Sequence, residues 1–129
     1  MSFLYSSNLN DIKLKLISKI SHVVVKKHIV KIYVSDKAFL KDVQDSKNLK
    51  FVKNCQDADV ILCSIVGKLS KRCKNKIVFT TKYRSYKNSK FVFGAIFWQK
   101  GRPNLIFRAS CLKKRGIKLP KSYKKYIDK

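Results

Sequence analysis

The chain has 129 residues, of which 45% are hydrophobic and only six are Gly or Pro, so collagen-like, low-complexity and wholly disordered chains are excluded. Such a length suits one compact domain over residues 1–129, burying roughly two-thirds of its unfolded surface, and no run of roughly 18 apolar residues offers a membrane-spanning helix. Its 31 Lys and Arg face only seven acids, a formal charge of +24 that attracts polyanions or acidic protein faces.

Residues 1–9 open with MSFLYSS, which lacks a basic region and an apolar signal core. The stretch reads either as a disordered start or as the remnant of a signal. Asn10 is a plausible N-cap, and Ile12, Leu16, Ile20, Val23 and Val24 recur at helical spacing, so an amphipathic helix is expected over 10–24. Ile29 to Val34 is rich in β-branched residues and predicts a buried strand. Ser35 or Asp36 would then cap a short helix with Phe39, Leu40 and Val43 on one face. Phe51-Val52 is a short strand, and Val60 to Cys63 is a continuous apolar run, the mark of a strand covered on both faces. Leu69 falls in a short basic helix or loop, and Ile77 to Phe79 is a further buried strand.

Phe91 to Trp98 and Leu105 to Phe107 are β runs around QKGRP, which predicts an antiparallel hairpin turning at Gly101. Ser110 would cap a helix over Cys111 to Arg115 that Gly116 ends, and Pro120 would open a last helix through Tyr123, Tyr126 and Ile127. Strands interleaved with helices imply an α/β domain: a mostly parallel central sheet of about five to six strands, flanked by helices, with the C-terminal hairpin at its edge.

The cysteines follow C-x7-C-x9-C with Cys111 distant, a spacing that matches no zinc site, and neither His22 nor His28 stands at ligand spacing to them. No metal and no cofactor is expected. Cys55 lies five residues before Val60, and Cys73 lies four before Ile77. If those strands are parallel neighbours, both cysteines sit at one end of the sheet, within the Cα separation of about 6 Å that a disulfide needs. A Cys55–Cys73 bridge is therefore expected, with Cys63 as a buried apolar residue and Cys111 the same on its helix. The alternative is four free thiols in a reducing cytosol.

No catalytic constellation stands out. All seven acids are Asp, and Asp57 with Asp59 read as turn and cap residues ahead of a strand rather than as an acid–base pair. A Cys–His dyad has its residue types but no supporting motif, and no glycine-rich phosphate loop exists. The chain reads as a non-enzyme. Basic stretches with aromatics are the better candidates. Lys82 to Lys90 alternates cations with Tyr83 and Tyr86 in an expected loop, and Lys121 to Tyr126 does so again. Cation and ring together can hold a phosphate backbone and stack on bases, while the plain reading is a solvated face whose rings anchor it.

From about Lys50 onward, Asn54-Cys55 with DVILCS, then KIVFTT, then FGAIFWQKGRPNLIFRASCLKKRGIKLPKSYKKYI resemble the YfiR-like family of small periplasmic α/β proteins. In that family an Asn follows the hairpin's second strand; Arg108-Ala109 stands there in this chain. The resemblance implies a non-enzymatic periplasmic protein that binds and restrains another protein, typically the sensor part of a membrane diguanylate cyclase. The expected partner is thus an acidic protein face, with nucleic acid or another polyanion, and a cytoplasmic location, as the alternative. The expected binding residues are Lys82, Tyr83, Arg84, Tyr86 and Lys87, at a strand's carboxyl end where ligands of open α/β sheets gather, joined by Lys100 and Arg102 of the hairpin turn. Since FVFGAIFW is long enough to carry the turn to the opposite end, the two segments are read as separable.

Overall fold

The computed structural model describes residues 2–35, 39–40 and 44–129, with side chains in the first helix from Leu9 onward. A seven-stranded sheet runs β1 (Val30–Val34), β2 (Leu49–Phe51), β3 (Val60–Cys63), β4 (Ile77–Thr80), β5 (Gly94–Gln99), β6 (Arg102–Arg108) and β7 (Ile127–Asp128) along the chain. Across the sheet the order is β2-β1-β3-β4-β5-β6-β7. The first five are parallel, β5 and β6 form the expected antiparallel hairpin, and β7 pairs parallel to β6. The mostly parallel α/β architecture is the expected one.

Helices cover both faces. On one face α1 (Ser2–Val24) and α4 (Ala109–Lys114) bury Ile17, Ile20, Val24 and Leu112 against Ile32, Leu62, Phe79 and Phe107. On the other, α2 (Lys71–Lys74), α3 (Tyr83–Asn88) and single helical turns cover Ile61, Cys63, Val78 and Ala95. Strict alternation along Val60-Ile61-Leu62-Cys63 and Ile77-Val78-Phe79-Thr80 supplies both cores at once, which is why these strands read as unbroken apolar runs.

Several expectations are corrected. The hairpin is not the sheet edge, because Ile127, expected to end a helix, instead follows the helical turn Lys121–Tyr126 and with Asp128 pairs with Phe107 and Arg108. Helix α1 begins well before Asn10, and its buried face runs through Ile17, Ile20, Ser21 and Val24, leaving Ile12 half exposed. Strand β5 starts only at Gly94, since Phe91 to Phe93 form the approach to it. The α4 N-cap position is Arg108 rather than Ser110. The helix expected after Ser35 falls largely on residues outside the described ones; of its face, Leu40 is buried, Phe39 is half-buried, and Val43 lies outside.

The predicted cysteine pairing holds. Cys55, in a helical turn ahead of β3, and Cys73, in α2 ahead of β4, are disulfide-bonded with Cα atoms 5.9 Å apart. Cys63 and Cys111 stand outside the disulfide: Cys63 is buried, whereas Cys111 is only half-buried, so it is not the enclosed residue expected. Asp59 behaves as a turn residue, accepting from the Lys31 backbone N–H at 2.9 Å and from Lys27 Nζ at 2.8 Å. Burial pushes its carboxyl up, but these two partners prevail and hold it below the usual carboxylate range.

Candidate binding surfaces

The segment 82–90, expected as a loop, is mostly the helix α3, with Lys82 at its N-cap position. It is tied to the carboxyl end of the sheet: Ser85 Oγ donates to the Ser64 carbonyl at 2.9 Å, and the Lys82 N–H donates to Thr80 Oγ1 at 3.2 Å. One turn of helix then sorts the side chains. Lys82, Arg84 and Lys87 point to solvent, Tyr83 is 46% exposed, and Tyr86 is 2% exposed in the core.

Tyr86 is therefore corrected from binding residue to structural residue. Its hydroxyl donates to Asp128 Oδ2 at 2.8 Å, and the Arg108 guanidinium lies over its ring at 4.1 Å. Burial, and then the bond to Asp128, raise the phenol far above its usual range. Arg108 also donates from Nε to the Val92 carbonyl at 2.9 Å, and from Nη2 to the carbonyls of Tyr86 and Ser89. One guanidinium thus closes the connection between α3 and β5. Arg108→Met should cost about 3 kcal/mol, because it removes charge-assisted bonds to three carbonyls at once. Urea denaturation measures this, and a loss below about 1 kcal/mol would show that water replaces the fork.

The hairpin turn lies at the same end as α3. Strand β5 is parallel to β4 and pairs with it only at Phe79↔Gly94 and Thr80↔Ala95. Its remaining four residues therefore extend past the end of β4 by roughly 13 Å. Lys100 and Gly101 both have positive φ, 54° and 74°, the paired left-handed conformation of a two-residue turn whose twist matches the strands. Lys100 and Arg102 are exposed on it.

Aromatic contacts brace this overhang. Tyr83 packs on Phe97 with ring centroids 5.7 Å apart, and on the other face Phe39 meets Trp98 at 6.1 Å. Lys13 Nζ donates to the Phe39 carbonyl at 2.8 Å and lies over both of those rings. A recess of about 400 Å³ lined by Tyr83, Phe97, Trp98 and Gln99 adjoins one of about 420 Å³ lined by Gln99, Lys100, Arg102 and Asn104. The two basic segments are thus not separable: the Tyr83–Phe97 contact and the shared Gln99 join them into one surface. Parallel pairing of β4 with β5 sets this, and spacing in the sequence carried no sign of it.

A second basic surface, at the amino end of β4, was not legible in the sequence. Lys74 and Lys76 precede β4, Lys90 and Phe91 precede β5, and Lys114 and Arg115 close α4; together they line a groove of about 470 Å³. Its members are distant in sequence, and each alone looks like a solvated cation. Cys111 lines the same groove, its Sγ 3.7 Å from the Lys90 and Val92 carbonyls, and burial raises its thiol against the opposing pull of Arg108, Arg115 and Lys114.

Fold and surfaces together define a three-layer α/β protein with a disulfide on one sheet face and cationic surfaces at both ends of its parallel strands. No family model, no curated protein and no solved structure matches the chain. Among the described residues, no helix is long and apolar enough to cross a membrane.

Proposed function

We propose that the chain is a non-enzymatic binding and regulatory protein of an oxidising compartment, the periplasm, that engages an acidic face of the sensor part of a membrane protein. The observation that carries this reading is the Tyr83–Phe97 contact, which seats α3, with its exposed Lys82, Arg84 and Lys87, against the hairpin, where an aromatic recess adjoins the one that Lys100 and Arg102 line. Aromatic residues and Arg are the types enriched where proteins bind proteins, and exposed cations steer an acidic partner into place. The Cys55–Cys73 bridge supports the oxidising compartment, since such bonds are rare in a reducing cytosol. Resemblance to the YfiR-like family supports the regulatory role.

The first test is genomic: a membrane sensor encoded beside the chain's gene is expected, and its absence counts against this reading; calorimetric titration with the periplasmic part of that sensor is the second. Lys82→Glu with Arg84→Glu should weaken binding at least about tenfold, whereas Lys15→Glu with Lys19→Glu on the exposed face of α1 should change it less than about threefold. Lys13 is no control, because it packs over Trp98. Equal losses for both pairs would leave only a whole-surface field and sink the localised site.

A nucleic-acid reading draws on one specific feature, the exposed Tyr83 ring between Lys82 and Arg84, on which a base could stack. Under that reading a single-stranded oligonucleotide binds in place of the sensor, with affinity falling steeply as salt rises.

A further inference from the structure

We propose that the groove at the amino end of β4, walled by Lys74, Lys76, Lys90, Lys114 and Arg115, binds a small oligophosphate of two or three linked phosphates. This site lies at the opposite end of β4 from the surface assigned above, and stands or falls independently of it.

Charge argues for it first. Five cations from three separate segments line the groove, and no described carboxylate lines it with them. Their visible partners are neutral: Lys76 Nζ donates to the Ala58 carbonyl at 2.8 Å, Arg115 Nη2 donates to the Asn75 carbonyl, and Lys74 Nζ lies 5.7 Å from the Phe91 ring centre. Those contacts position the head groups without neutralising them. Asp59, which shares a neighbouring recess with Arg115, already holds Lys27 and the Lys31 N–H.

The walls sharpen the field. Phe91 and Phe93 form part of the lining, and a cleft with charge of one sign between low-dielectric walls concentrates its potential. Ser110 and Asn75 supply neutral polar groups in the same lining. The volume of about 470 Å³ falls within the size of small-ligand sites, roughly 300–1,000 Å³.

Charge matching then selects the ligand class. One carboxylate or sulfate would leave most of the five charges unopposed, whereas a triphosphate brings about four negative charges at neutral pH. Lys ammonium groups act on phosphate as mobile point charges, so four Lys and one Arg suit a flexible chain of phosphates better than a single planar anion.

The protein carries its own reporter. Cys111 lines the groove, Cys63 is buried, and Cys55 and Cys73 are bonded to each other, so alkylation of native, unreduced protein reads occupancy of the groove. With inorganic tripolyphosphate or ATP at about 1 mM in about 0.15 M NaCl, labelling of Cys111 should slow at least about fivefold, and AMP should protect far less. Lys90→Gln with Lys114→Gln, at two exposed positions, should abolish protection while leaving thermal melting unchanged. Protection that NaCl of equal ionic strength reproduces, or that survives in the double variant, would overturn the site. A single-stranded oligonucleotide that protects at far lower concentration than tripolyphosphate would overturn the small-ligand class in favour of a nucleic-acid path. If the thiol labels too slowly to follow, calorimetric titration with tripolyphosphate replaces it: one site lost in the double variant is expected, and no binding heat in the native protein refutes the proposal.

Discussion

Reducing the Cys55–Cys73 bridge should lower the stability of the folded chain by about 3 kcal/mol, the entropy that a closed loop of this size removes from the unfolded ensemble. The bond spans 18 residues and clamps the segments that lead into β3 and β4, the two central strands. Cys73 is wholly buried, so Cys73→Ala with Cys55→Ser keeps an apolar group in the core while cutting the link. Urea midpoints of oxidised protein, reduced protein and this double variant measure the effect, and reduced protein and variant should coincide within about 1 kcal/mol. Mass spectrometry of native protein alkylated without reductant should find at most two free thiols. Four labelled thiols would refute both the bridge and the oxidising compartment proposed from it.

Gly94→Ala should be comparably damaging, at about 3 kcal/mol, through sterics alone. A Cβ on Gly94 would sit 2.2 Å from the Ile106 carbonyl oxygen and 2.9 Å from Phe79 Cε1. The carbonyl belongs to β6 in the hairpin ladder and the ring to the core between the sheet and α1, so neither can swing aside as a surface side chain would. This strand glycine therefore marks a close approach of backbones. Gly67→Ala is the matched control: nothing lies within 4 Å of its would-be Cβ, and its cost should stay within about 0.5 kcal/mol. Thermal or urea unfolding of the two variants decides the matter, and equal effects at both positions would mean that the hairpin relaxes around the added methyl.

Much of the fold was written locally. Continuous apolar runs at 60–63 and 77–79 are the mark of strands covered on both faces, which implies a parallel sheet between helices. Parallel neighbours whose leading segments each carry a cysteine then place Cys55 beside Cys73, so even a long-range covalent contact was legible. Gly101, between two β runs, marked the hairpin. The charge was likewise a matter of composition.

What composition and spacing could not carry was the meeting of segments distant along the chain. Pairing with β6 ended the Pro-led helical stretch at Tyr126 and made Ile127 and Asp128 a strand, because Phe107 and Arg108 offered unpaired backbone groups there. That pairing puts Asp128 within reach of Tyr86, and with Arg108 over the ring it turns a Lys/Tyr stretch that reads as one binding face into three exposed cations, an exposed Tyr83 and a buried anchor. The parallel register of β4 and β5 brings the hairpin turn to Tyr83, whereas the opposite direction, equally compatible with the sequence, would have parted them. The groove at the other end of β4 depends wholly on tertiary structure: Lys74, Lys90 and Lys114 become neighbours only because the packed sheet overcomes their mutual repulsion, and no local pattern encodes that outcome.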